Sequence, residues 1–127
     1  MKERDVLNTV TALLDLFGWR WWHVPAPMLA GRDGNWHAAR GAKGLPDIFA
    51  LHADPPRMLI LELKGSTGKL SDEQREFLSM ARDVAEAPAE LLNGWTSPAL
   101  ARNIGVYVVE PSNLDAIEQI IRSAVLT

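Results

Sequence analysis

Cysteine is absent from this 127-residue chain, which excludes disulfides and thiolate metal sites and accords with a reducing compartment. Histidine is scarce, and His23, His37 and His52 are too scattered to read as a zinc set. No apolar run approaches the roughly 18 residues of a membrane span. The opening MKERDVLNTV mixes charges of both signs where a secretory signal has a basic and then an apolar segment. A cytoplasmic location with no membrane partner is therefore expected. Net positive charge is lacking too: the formal charge of −3 argues against a generally basic nucleic-acid coat but leaves room for a local patch. Repeats, low-complexity tracts and long linkers are also missing, so residues 1–127 read as a single domain.

What is present is the balance of a globular protein, 47% hydrophobic and 23% charged. Val6, Val10, Leu13, Leu14 and Phe17 recur at helical spacing, and Gly18 marks the stop of a helix over 2–17. RWWHV (20–24) reads as a strand. Residues 25–45 hold two prolines and four glycines and show no sustained periodicity, so they read as a long loop with a short ordered piece around Trp36. DIFALH (47–52) and MLILELK (58–64) are two strands joined by the proline turn ADPPR. Ser71 with Gln74 three residues on forms a capping-box pattern for a helix whose apolar stripe is Phe77, Leu78, Ala81, Val84 and Ala85. A short helix is expected within 90–103, a strand at 106–110, and a last helix capped by Ser112 with Leu114, Ile117, Ile120, Ile121 and Val125 inward. The order α-β-β-β-α-β-α implies an α/β fold, a mixed sheet flanked by helices.

One stretch resists a purely structural reading. In LILELKG (59–65) the leucines share one face of the strand, while Ile60, Glu62 and Lys64 share the other. A charge pair sealed from water without partners would cost several kcal/mol, as an order of magnitude. If the preceding strand pairs antiparallel, its start at Asp47 lies beside Glu62. Two converging carboxylates repel each other but suit a hard cation such as Mg²⁺ or Mn²⁺.

Pro46-Asp47 followed by Glu62-Leu63-Lys64 resembles the signature of the PD-(D/E)XK nuclease superfamily, which has a restriction-endonuclease-like fold. GLPDIFAL, LILELKG and LSDEQREFL together are similar to the VRR-NUC family, with a Gly before the Pro-Asp and a Gln on the helix after Glu-x-Lys. The resemblance spans Glu3 to the VYVVEPSNLDAI segment. It implies that Asp47, Glu62 and the backbone carbonyl of Leu63 bind a divalent metal. Lys64 would then orient or help deprotonate the attacking water, Gln74 would hydrogen-bond at the edge of the site, and Glu3 would join from the first helix. The implied activity is metal-dependent endonucleolytic cleavage of DNA. The expected substrate is branched, nicked or junction DNA, as for a Holliday-junction resolvase, and the expected partner is a second copy of the chain, a homodimer with contacts through the Trp-rich segment.

Plainer readings stand beside these. Glu62 and Lys64 would also make an ion pair on an exposed edge, Asp47 a strand start, Gln74 a cap and Glu3 a favourable charge at a helix N-terminus. In the 25–45 loop, Arg32, Arg40 and Lys43 against Asp33 leave a local excess of positive charge within a glycine-rich segment, a candidate grip for a phosphate backbone. Trp36 or His37 would stack on a base, whereas Trp19, Trp21 and Trp22 read first as core or interface residues. The rival functions are a nucleic-acid-binding module that does not cut and a small interaction module of a larger assembly.

Overall fold

The computed structural model describes residues 1–24, 28–30, 32–38, 44–86 and 103–123, with backbone alone for 28–30 and 36–38. In chain order the elements are α1 (Glu3–Leu16), β1 (Arg20–His23), β2 (Met28–Ala30), β3 (Trp36–Ala38), β4 (Ile48–Ala53), β5 (Pro56–Leu63), α2 (Asp72–Glu86), β6 (Ile104–Val109) and α3 (Leu114–Ser123).

The helical spacing of Val6, Val10 and Leu14 becomes the buried stripe of α1. The Asp5 carboxylate accepts the Lys2 N–H at 3.1 Å at its start, and the Trp19 N–H returns to the Leu14 carbonyl at 2.9 Å after Gly18 has ended it. The main sheet has the order β1-β4-β5-β6. Its first two pairings are antiparallel and β5–β6 is parallel, which is the mixed sheet the sequence implies. Period-two alternation sorts the strands onto two faces. Ile48, Ala50, Leu59, Leu61 and Leu63 meet Val6, Val10, Leu14, Ile117 and Ile121 on the side of α1 and α3. Ile60 and Val106 meet Leu78 of α2 on the other. Helices therefore flank the sheet on both faces.

Several expectations are corrected. The segment 25–45 is not simply a loop: β2 and β3 pair antiparallel as a separate two-stranded sheet. The Asp33 carboxylate accepts the Asn35 N–H at 3.0 Å in the turn between them. Strands of three residues are too short for alternation to show. The β4–β5 reversal is tighter than ADPPR, because Ala53 already pairs with Pro56. Val84, at the margin of the α2 stripe, is exposed rather than packed. Ser112 does not cap α3; it lies within a 3-10 turn over Pro111–Asn113, where the Glu110 N–H donates to Asn113 Oδ1 at 2.8 Å. The asparagine carboxamide also donates to the Val108 carbonyl at 2.8 Å, so it ties the turn to β6, while the Ser112 hydroxyl faces the Glu110 carboxylate. The expected short helix within 90–103, apart from Asn103, and the inward Val125 lie outside the described residues.

Candidate active site

The site forms where β4 begins and β5 ends. The Asp47 N–H donates to the Leu61 carbonyl at 3.0 Å, which continues the β4–β5 pairing one residue past Ile48. The Asp47 carboxylate reaches across the pair, and its Oδ2 accepts the Leu63 N–H at 2.7 Å. A strand amide thereby fixes the carboxylate beside Glu62. This contact uses the amide of Leu63, while its side chain is part of the core.

Glu62 is 1% exposed, and it lies on the central strand β5 between β4 and β6. The reading of Glu62 and Lys64 as an ion pair on an exposed edge is thus overturned. Glu62 Oε1 accepts the Gln74 carboxamide N–H at 2.8 Å, and Lys64 Nζ stands 3.7 Å from the same oxygen. Glu62 Oε2 is buried and meets no hydrogen-bond donor among the described residues. Burial pushes the Glu62 carboxyl up from an ordinary 4.5 to about 8, Asp47 adds to this by repulsion and by hydrogen bonding the protonated form, Lys64 opposes it, and Glu3 adds a smaller push. Near neutral pH Glu62 therefore retains its proton.

Gln74 fills both roles that its spacing suggests. Its Oε1 accepts the Ser71 N–H at 2.8 Å, while its own N–H donates to Ser71 Oγ at 3.1 Å, completing the capping box. With the carbonyl end engaged, the amide end is left to meet Glu62. The cap orients the side chain and the side chain orients the acid.

Two close approaches assemble these parts. Gly44 has φ +86°, and a Cβ there would stand 2.5 Å from the Glu73 carbonyl oxygen, so the segment leading to Asp47 touches the first turn of α2. A Cβ on Gly65 would stand 2.8 Å from the Glu3 nitrogen. The Ser66 N–H donates to the Met1 carbonyl at 3.0 Å alongside it, holding the start of α1 against the end of β5. Glu3 is exposed there, near enough for its charge to act on Glu62. Neither approach is marked by a hydrophobic pattern; the glycines were the only available signal.

Arg32 lies exposed in the β2–β3 turn. Trp36 and His37 are adjacent in β3, where their backbones pair with Ala30 and Leu29. Arg40 and Lys43 lie outside the described residues. The hairpin and the carboxylate pair belong to separate sheets.

Among the described residues no group of three or more His, Cys, Asp or Glu side chains forms a metal cluster. The carboxylate pair nonetheless has the chemistry of a divalent-cation site, since it has a buried oxygen without a donor and two acids whose charges repel. A mixed sheet between helices, with such a pair and a lysine at a strand end, defines a nuclease-like α/β domain. The model of the VRR-NUC domain matches residues 30–95, and the chain belongs to the VRR-NUC family. No curated protein and no solved structure matches it. The family assigns the chain a nuclease-like function with DNA as its partner. Among the described residues no helix is long and apolar enough to cross a membrane.

Proposed function

We propose that the chain is a divalent-metal-dependent DNA endonuclease that selects branched, nicked or junction DNA by its shape. The observation that carries this reading is Glu62, buried beside Asp47 with one carboxylate oxygen meeting no donor among the described residues and Lys64 within 3.7 Å of the other. Asp47, Glu62 and the Leu63 carbonyl would hold Mg²⁺ or Mn²⁺. When bound, the ion supplies Lewis acidity toward water and toward a phosphoryl oxygen. Lys64 Nζ would orient the attacking water and meet negative charge building on the phosphate. Gln74 keeps Glu62 Oε1 in place, and Glu3 contributes a further acid at the rim. Arg32, Arg40 and Lys43 would grip the DNA backbone, with Trp36 or His37 stacking on a base. Two copies acting together would allow two strands to be cut.

A labelled panel of linear duplex, single-strand, flap and four-way-junction DNA, incubated with Mg²⁺ or Mn²⁺, tests the reading. Metal-dependent cutting with a preference for branched forms is expected, and Lys64→Ala should abolish cutting while leaving DNA binding largely intact. Binding without cutting by the folded wild-type protein would support the non-catalytic module instead.

A further inference from the structure

Among the described residues, the sheet face that carries Glu62 is covered on one half only. Leu78 of α2 lies over Ile60 and Val106, closing the β5–β6 half. Across β1 and β4 the same face presents Arg20, Trp22, Phe49 and Leu51, because Trp22 pairs with Phe49, Phe49 with Ile60, and Arg20 with Leu51. Trp22 is 67% exposed and Leu51 56%. With Arg20, Trp21, Phe49 and Met58 they line an open pocket of about 360 Å³.

The three neighbouring tryptophans are used differently. The Trp19 indole N–H donates to the Ile121 carbonyl at 3.1 Å inside the core, and the Trp21 indole donates to Asp15 Oδ1 at 2.7 Å, pinned onto α1. The Trp22 indole N–H has no hydrogen-bond partner among the described residues, and its ring lies open on the face of the carboxylate pair. Its position is fixed relative to that pair, since the Val24 N–H donates to the Asp47 carbonyl at 2.8 Å. Two residues along a strand and one strand across place Trp22 about 8 Å from Asp47.

We propose that Trp22 stacks on an unpaired nucleobase beside the scissile phosphate and thereby makes the site select DNA with a disrupted duplex. This rests on the nuclease reading above. A base within an intact duplex has both faces covered, so only an unpaired or extruded base offers a face to an indole. Arg20, in the neighbouring position on the same strand face, supplies a cation for the phosphate attached to that base. A second copy of the chain is a poorer occupant, because stable interfaces recruit about 20–30 residues a side and the open patch has far fewer. Trp22 lies outside the matched residues 30–95, so the selectivity would belong to this chain's own β1.

The test is metal-free binding of two oligonucleotides, a blunt duplex and the same duplex with one unpaired 2-aminopurine, by wild type, Trp22→Ala and Trp22→Phe. Wild type should prefer the unpaired form and quench its 2-aminopurine fluorescence. Trp22→Ala should lose roughly tenfold in affinity for that form alone, with the quench, and Trp22→Phe should recover most of both. Equal losses on both DNAs, or none, would overturn the inference and leave the nuclease reading standing. A drop in oligomeric mass on Trp22→Ala with unchanged DNA preference would assign the face to a second copy. Failure of wild type to bind either DNA would overturn the inference, while metal-dependent cutting of the DNA panel would still decide the nuclease reading by itself.

Discussion

A carboxyl group sealed beside another carboxylate holds its proton longer than one in water, and Glu62 translates this into a pH dependence of folding. Its carboxyl titrates at about 8 in the folded chain against an ordinary 4.5. Below the ordinary value both states are protonated and the contribution to stability is fully present. As pH rises, the unfolded chain loses the proton first, and stability declines until the folded carboxyl also ionises around pH 8. The decline can reach about 1.4 kcal/mol per pH unit. Glu62→Gln should remove it, because the amide carries no charge and can still accept from Gln74 while donating toward Asp47. In chelator, at pH 8, we expect Glu62→Gln to be more stable than wild type by roughly 1–3 kcal/mol, and the two to converge near pH 5. Urea unfolding at both pH values checks this; parallel stability curves for the two proteins would show that Glu62 is not the titrating group.

At the scale of elements, the site depends on one close approach of segments distant in sequence. Gly44 touches the first turn of α2, the turn that carries Gln74, and its backbone is in the left-handed region. Gly34 has nearly the same φ, +81°, with nothing near where a Cβ would be. Alanine at either position meets the backbone penalty of about 1 kcal/mol or more, but only Gly44→Ala also collides with Glu73. Thermal unfolding should therefore show a clearly larger loss for Gly44→Ala, by a further 1–3 kcal/mol as an order of magnitude, and its folded fraction should cut DNA more slowly than Gly34→Ala. Equal effects would mean that α2 accommodates the methyl group. This contact also marks a limit of what the sequence discloses. The strand pair, its register and the Ser71–Gln74 cap follow from local periodicity and fixed spacing, and all three are observed. The packing of Gly44 on Glu73 depends on how two distant segments meet, which no local pattern encodes. The same applies to the three tryptophans near β1, whose composition is uniform and whose fates diverge according to the strand face and the helix beneath.

For the molecule as a whole, the proposed cation site would couple folding to cation binding through the same two acids. The chain has a formal charge of −3, so an acid pair at the end of its sheet adds to existing repulsion. A fold that keeps such a pair buried is less stable alone than with a cation between the acids, and every ion that binds only the folded state adds to stability by mass action. At a concentration a hundredfold above Kd this amounts to about 2.7 kcal/mol, or a rise in Tm of roughly 10 °C for a domain of this size. The proton on Glu62 competes with the ion, so the shift should be larger at pH 8 than at pH 6. Thermal melts across a Mg²⁺ or Mn²⁺ titration at both pH values provide the measurement, with Glu62→Gln beside wild type. We expect the shift to vanish in the variant. A metal-induced rise of the same size in both proteins would place the ion elsewhere on the chain, and equal shifts at both pH values would separate cation binding from the Glu62 proton.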